Sequence, residues 1–242
     1  MFKNFQKYSY WLTTGIYALL ALLFFGVLLK SFGYDAVDMW VNFKTERGKQ
    51  GNMIGLLCGF AAYDLFLLFL ISPKIRHNLR WFMYFTHELT HTMVALLFFR
   101  RIEEFVVSGR DCHVHYQRSH FGYVPITLSP YCIPIYTFML FPFRYFGASH
   151  YMFAFDVMIA FTYAFHVHSF IRYTRYTQSD IEGVGLAKST AFISFIHCAV
   201  LALILSMPRS GMKLAIQRVF LEYPVQLITD PVAWFHDVVK FL

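Results

Sequence analysis

Long apolar runs constrain this chain more than any other feature of its sequence. The runs at residues 10–29 and 186–207 each match the roughly 20 residues that an α-helix needs to cross the hydrocarbon of a bilayer. Only 14% of the residues are charged and 57% are hydrophobic, whereas soluble domains contain about 25% charged residues. We therefore expect an integral membrane protein.

The sequence predicts one all-α membrane domain, residues 1–242, with about six transmembrane helices. The predicted spans are about residues 10–29, 52–72, 81–99, 126–146, 151–171 and 186–207. A short β-hairpin is expected at 102–116, where β-branched residues and alternating polarity flank a turn that contains glycine. The tail, 208–242, is interrupted by Pro224 and Pro231, and we expect amphipathic interfacial helices there.

The distribution of charge indicates the partners. The chain carries a net charge of +7, and its Lys and Arg residues stand at the ends of apolar runs. That pattern is typical of anchoring among lipid headgroups, so the expected partner is the lipid bilayer and not nucleic acid. No small-residue cleavage site follows the first apolar run, which predicts a retained span. The sequence does not define an oligomeric state.

The third apolar run contains the motif His87-Glu88-Leu89-Thr90-His91. Positions i and i+4 of a helix share a face, so both imidazoles can reach one ion, and Zn²⁺ is the metal that such a motif binds. Glu88 would stand beside the metal, where a carboxylate can take a proton from water. An ionisable residue in hydrocarbon costs roughly 2.5–3.5 kcal/mol, which favours a functional role over simple packing. We predict His87 and His91 as zinc ligands and Glu88 as the catalytic residue.

A catalytic zinc site needs a third protein ligand. The candidates are Asp64, Asp156, His166, His168 and Asp180. Asp180 follows the fifth predicted span in a polar segment, where the backbone can bend toward the metal. Asp156 and His166 lie within that span, and pairing with a buried partner would also explain them. If the spans are as predicted, Asp156 lies at the same depth in the membrane as His87, which favours Asp156 as the third ligand. A motif helix that begins earlier would favour Asp180 instead.

Three prolines interrupt the fourth predicted span, at Pro130, Pro134 and Pro142. A proline leaves a helix carbonyl free, and a membrane tolerates this only where protein or a cavity satisfies the group. We therefore expect this span to line an active-site cleft. His113, His115 and His120 precede it in or after the predicted hairpin; these imidazoles can bind metal, but we predict a solvated hairpin face.

The order of these elements resembles the site-2 protease family of intramembrane zinc metalloproteases. In that family a β-hairpin directly follows the zinc motif, as the strand-like segment Arg101–Gly109 does here. The resemblance covers about residues 80–205 and implies that an aspartate after the second following span, here Asp180, is the third ligand. The family's Asn-Pro and Leu-Asp-Gly signature is absent, and Thr177-Gln178-Ser179-Asp180-Ile181 is similar to a Ser-Asp variant of small, divergent members.

The resemblance implies an intramembrane zinc metalloendopeptidase that cleaves a peptide bond in or near a transmembrane helix of a membrane protein substrate. Zn²⁺ is the implied cofactor, and we expect the bacterial inner membrane as its location. A second enzyme type resembles prenyl-protein proteases and would need a later glutamate, for which Glu182 is the candidate. A metal transporter or sensor is the non-enzyme alternative, with further sites at His113, His115, His166 and His168, although the repeated halves common in transporters are not seen.

Overall fold

The computed structural model describes residues 2–33, 53–69, 73–108, 112–117 and 121–239. Over these residues the protein is mostly helical, with one two-stranded antiparallel sheet. The elements are α1 (Phe2–Lys30), α2 (Met53–Phe69), α3 (Pro73–Leu97), β1 (Ile102–Val107), β2 (Cys112–Tyr116), α4 (Tyr123–Cys132), α5 (Ile135–Phe146), α6 (Met152–Tyr173), α7 (Ser179–Val184), α8 (Leu186–Gln217), α9 (Tyr223–Thr229) and α10 (Pro231–Val239). A 3₁₀ turn at Ser149–Tyr151 precedes α6, and a π-helical turn at Arg218–Glu222 follows α8.

Three helical segments are long and apolar enough to cross a membrane. They are Lys7–Gly33, Ser149–Tyr173 and Leu186–Thr229. A fourth results if α4 and α5 count as one broken span, although an angle of 85° separates them. The six predicted spans are therefore not all present as long apolar helices in the described part of the chain. Helix α2 is apolar but has only 17 residues, and α3 begins early enough to include the basic residues 74, 76 and 80.

A core cluster of buried apolar residues joins α2, α5, α6 and α8. Ile159 of α6 and Ile204 of α8 are fully buried there, together with Leu56 of α2. Helix α1 covers another side of α8, where Val27 packs in a cluster with Ala202. Helix α8 thus contributes buried residues to both clusters.

Glycines bring α2 close to α6. A Cβ atom added at Gly59 would lie 2.3 Å from the carbonyl oxygen of Val157, and one added at Gly55 would lie 3.0 Å from Cβ of Asp156. Small residues four positions apart allow two helix backbones to approach in this way, and the pattern is common between membrane helices. The short helix α2 is thus held closely against α6.

A buried lysine at the end of α1 attaches the tail to this helix. Lys30 Nζ donates a hydrogen bond to Asp237 Oδ2 of α10 at 2.9 Å and a second one to Gln226 Oε1 of α9. The hydrogen bond from Lys30 holds the pKa of the Asp237 carboxyl below its usual value. The tail contains the short helices α9 and α10, which pack against the end of α1. Because an apolar helical segment of membrane-spanning length continues from Leu186 to Thr229, the interfacial placement of the tail stays a prediction.

Candidate metal centre

The motif His87–His91 lies well inside α3. The helix begins at Pro73 instead of near residue 81, so both histidines sit far from its first turn. Their rings are on the same face, with centroids 5.0 Å apart. The side chain of His91 is 7% exposed and that of His87 is 27% exposed, so the pair lies at the inner wall of a cleft. Glu88 directly follows His87 in the sequence. Its side chain is buried and lines the same cleft.

Asp180 completes a group with these two histidines. Its Oδ2 atom lies 3.7 Å from Nε2 of His87 and 3.4 Å from Nε2 of His91. Ligands of a tetrahedral Zn²⁺ stand roughly 3.3–3.6 Å from one another, as their bond lengths require. The structure therefore brings together the three residues that the sequence predicts as ligands, at separations that suit one ion. Two imidazoles and one carboxylate are also a donor set that zinc accepts.

The short helix α7 positions Asp180 in its first turn. Ile181 and Val184 of this helix are buried against α4 and α8. Gly185 then has φ of +94°, a backbone conformation that favours glycine, and a Cβ atom there would lie 2.6 Å from the Tyr10 hydroxyl. The sharp turn at Gly185 allows α7 to end and α8 to begin at once, which keeps Asp180 facing α3.

Tyr131 holds the Asp180 carboxylate from the other side. Its hydroxyl donates a hydrogen bond to Asp180 Oδ2 at 3.0 Å, and its ring contacts His87 edge-on at 5.3 Å. Burial alone would raise the pKa of Asp180, but hydrogen bonds and charge from His87 and His91 outweigh burial and leave that pKa below its ordinary value. Tyr131, which lies between Pro130 and Pro134, was not among the site residues predicted from the sequence.

Pro130 explains how His91 is oriented. Nδ1 of His91 lies 2.8 Å from the carbonyl oxygen of Ile126. In a regular helix this carbonyl would accept a hydrogen bond from the backbone N–H four residues later. That residue is Pro130, which has no N–H. The free carbonyl accepts instead from the Nδ1–H of His91, which assigns the tautomer and leaves Nε2 available as a ligand. The Ser129 hydroxyl donates to the same oxygen at 2.8 Å.

Near its end, α4 lines this cleft with Pro130 and Tyr131, whereas Pro134 and Ile135 at the break between α4 and α5 line a smaller cavity next to His87. The cleft has a volume of about 1210 Å³, and its walls include Pro130, Tyr131 and residues of α3, β2 and α6. At the break, the carbonyl oxygen of Tyr131 accepts a hydrogen bond from Nε2 of His197 at 3.0 Å. Side chains thus donate hydrogen bonds to the carbonyls of Ile126 and Tyr131, which would accept backbone hydrogen bonds in an uninterrupted helix.

Asp156 and His166 do not join the group. Asp156 accepts a hydrogen bond from Nε of Arg144 at 2.8 Å, and both side chains are almost completely buried. His166 is buried beside His197, with ring centroids 5.4 Å apart, and its Nε2 has no hydrogen-bond partner among the described residues. The carboxylate of Asp156 is thereby engaged by a cation, which leaves Asp180 as the third residue of the group.

The two other candidates for the third ligand lie elsewhere. Asp64 is exposed on α2, and the ring of His168 packs edge-on against Tyr63, with centroids 5.9 Å apart. Neither belongs to a group of potential metal ligands in the described ranges. His120 falls outside the residues that the structure describes.

The predicted hairpin is present. β1 and β2 pair antiparallel, with Glu104 opposite His115 and Val106 opposite His113, and the register is irregular between Ile102 and Glu104. Residues of β2 line the cleft opposite the motif. Phe105 contacts the ring of Phe85 at 6.2 Å, which attaches the hairpin to α3.

No protein-family model, curated protein or solved structure matches this chain. The inference of function accordingly rests on the site itself. Its features are two imidazoles and a carboxylate around one point, a glutamate next to the first histidine, and a cleft that these residues line. That combination of groups suits metal-assisted hydrolysis.

Proposed function

We propose that the protein is an integral membrane zinc metalloendopeptidase that resembles the site-2 protease family and cleaves membrane protein substrates in or near a transmembrane helix. The observation that carries the proposal is the convergence of His87, His91 and Asp180 beside Glu88. The proposal includes six spans, in which α2, α3 and the broken pair α4–α5 join the three long apolar segments. It also places the protein in the bacterial inner membrane.

The residues of the chain have distinct tasks in the proposed reaction. His87, His91 and Asp180 would hold Zn²⁺, which would supply Lewis-acid chemistry that activates water at neutral pH and polarises a carbonyl. The Glu88 carboxylate takes the proton of the attacking water and returns it to the leaving amine. Tyr131 orients Asp180, and the Ile126 carbonyl orients His91, so that the ligands are arranged before substrate arrives.

The substrate segment must be unwound, because a helical peptide bond keeps its carbonyl in an internal hydrogen bond. The cleft beside β2 offers a place for such a segment. In our proposal the extended peptide adds to the hairpin as a further strand, since main-chain hydrogen bonds to an open strand edge do not depend on the side chains of the substrate. The lipid bilayer delivers the substrate to this cleft.

Replacing Glu88 with glutamine tests the proposal. The Glu88→Gln protein should retain its zinc and lose cleavage of a transmembrane reporter, because the amide keeps the shape of the side chain but cannot take a proton. Zinc per chain and reporter cleavage are measured in parallel on purified protein in liposomes. If the variant still cuts the reporter, Glu88 is not the general base and the proposed mechanism is wrong.

Glu182→Gln is the matched control. Glu182 is an exposed glutamate on α7, two residues from Asp180, and it is the ligand that the prenyl-protein-protease type would require. In our proposal this variant keeps both zinc and cleavage. Loss of zinc from Glu182→Gln, with zinc retained in Asp180→Ala, would favour that second enzyme type.

A metal transporter or sensor is the second candidate, because a further group of two histidines and a glutamate lies on the hairpin. Zinc flux into liposomes distinguishes the two functions. Flux without reporter cleavage would support transport, whereas cleavage by the wild type, its absence in Glu88→Gln and no flux in either protein would support the peptidase.

A further inference from the structure

On one face, the hairpin carries three side chains of types that can bind metals. Strand side chains alternate between faces, and the pairing of Glu104 with His115 and of Val106 with His113 therefore puts Glu104, His113 and His115 on the same side. Phe105 lies on the other side, where it contacts α3. The polar face is thus free of the packing contact that attaches the hairpin to the bundle.

The three side chains are close enough to share an ion. One ligand atom of each lies within 4.8 Å of the others, and Nε2 of His113 is 3.7 Å from Oε2 of Glu104. The two imidazole rings have centroids 4.9 Å apart and are nearly perpendicular, at 84°. The side chains of His113 and Glu104 are 40% and 57% exposed, so they can rotate to the roughly 3.3–3.6 Å separations of tetrahedral ligands without disturbing a core.

A surface ion pair accounts for only part of this arrangement. A pair between Glu104 and protonated His113 would contribute little to stability, as exposed pairs usually do. It gives no role to His115, and a second protonated imidazole next to the first would repel it. One divalent cation resolves this conflict, because it attracts the carboxylate and binds both neutral imidazoles through their ring nitrogens.

We propose that Glu104, His113 and His115 form a second metal site, separate from the one at His87 and His91. Two imidazoles and one carboxylate select a borderline ion such as Zn²⁺ over Mg²⁺ or Ca²⁺, which prefer oxygen ligands alone. The ion would join β1 to β2 at the wall of the cleft. Its binding would therefore stiffen the strand that faces the motif. This proposal does not depend on peptidase activity.

Zinc stoichiometry of the full-length protein in detergent tests the proposal. Titration with Zn²⁺ against a chromogenic chelator should give two ions for the wild type, one for His113→Ala/His115→Ala and one for His87→Ala/His91→Ala. The control is His150→Ala/His236→Ala, which removes two exposed histidines outside the described ligand groups and should leave two ions. The proposal is overturned if His113→Ala/His115→Ala binds as many ions as the wild type.

Two further measurements separate metal binding from misfolding. Glu104→Gln keeps the size of the side chain and should raise the zinc Kd of the second site by at least about 10-fold, since loss of a ligand weakens a site no less than loss of a group that orients one. Zinc should also slow hydrogen exchange of the hairpin amides in His87→Ala/His91→Ala, where the hairpin holds the remaining zinc ligands. Unchanged affinity in Glu104→Gln, or unchanged exchange on adding zinc, would contradict the second site, whatever the outcome of the cleavage assays.

Discussion

Nδ1 of His91 lies 2.8 Å from the carbonyl oxygen of Ile126, a group that is free only because Pro130 lacks an N–H. One residue of a predicted ligand pair is thereby oriented by a defect in the neighbouring helix. The proline does not simply bend α4; it releases the acceptor that fixes the imidazole tautomer. The missing N–H of Pro130 therefore has two effects: it interrupts the fourth predicted span, and it orients one residue of the candidate metal centre.

Restoring the N–H at Pro130 should weaken the metal centre. In Pro130→Ala the new amide competes with His91 for the Ile126 carbonyl, and we expect zinc affinity to fall about 10–100-fold, as for other supporting partners of ligands. Chelator competition measures the change. Pro142→Ala, on α5 and outside the lining of the cleft, is the control and should bind zinc like the wild type. Equal affinity in both variants would contradict this role of Pro130.

Asp180→Ala should lose the zinc bound at His87 and His91. Removal of its carboxylate leaves two imidazoles, too few for a stable zinc site. Zinc content is compared with that of His166→Ala, which removes a buried imidazole that is not in the ligand group and should keep the metal. Zinc retained in Asp180→Ala but lost in His166→Ala would mean that the third ligand is on α6.

Asp156→Ala should destabilise the fold without removing zinc. It would leave the Arg144 guanidinium buried without its carboxylate partner, and breaking a buried pair in this way costs about 3–5 kcal/mol. The midpoint of thermal unfolding in detergent is the measurement, with zinc content determined on the same sample. Asp64→Ala, at an exposed position of α2, should leave the midpoint nearly unchanged. A stable, zinc-free Asp156→Ala protein would contradict the structural role assigned to this pair.

Gly59→Ala should separate α2 from α6. The added Cβ would lie 2.3 Å from a backbone carbonyl oxygen that cannot rotate away, and overpacking of this kind costs about 1–3 kcal/mol. The matched control is Gly15→Ala on α1, where nothing lies within 4 Å of the added Cβ. We expect a lower unfolding midpoint for Gly59→Ala only. Equal midpoints would show that α2 does not pack closely against α6.

Acid should remove the contribution of Asp180 to the stability of the metal-free protein. Its pKa is lowered in the folded state, so the folded protein keeps the carboxylate ionised at a pH where the unfolded chain, with an ordinary value of 3.8, takes up a proton. The stabilisation is therefore present above about pH 4 and declines as the pH falls further. The difference in unfolding midpoint between the wild type and Asp180→Asn, both without metal, should narrow from pH 6 to pH 3. A constant difference would contradict the lowered pKa.

Local patterns predicted the hairpin and the motif helix, because each depends on residues that are near one another in sequence. The start of the motif helix was predicted near residue 81, but the helix begins at Pro73. An apolar run shows which part of a helix lipid or protein can cover, but it does not show where the backbone hydrogen bonds of the helix begin. Basic residues before Trp81 continue α3 back to Pro73. The same bias gave six equal spans where the described residues contain three long apolar segments and one sharply bent pair.

Contacts between distant segments were harder to predict. Asp156 was an open alternative because its carboxylate needed a partner, and an arginine within the predicted fourth span, Arg144, was already visible in the sequence. The approach of α2 to α6 was likewise encoded by Gly55 and Gly59, whose spacing of four is a known signal. The hydrogen bond from Tyr131 to Asp180 had no such signal, since it depends on how α7 packs against α4.

His91 and Asp180 are 89 positions apart in the chain, so the ribosome synthesises His91 some time before it synthesises Asp180. A ribosome that adds 5–20 residues per second needs roughly 5–20 s to pass from one to the other. During that interval the nascent protein has both imidazoles in place but lacks the carboxylate that completes the group. A nascent chain that ends before α7 therefore has too few ligands for a stable zinc site, and we expect the proposed peptidase to be inactive until α7 has been synthesised.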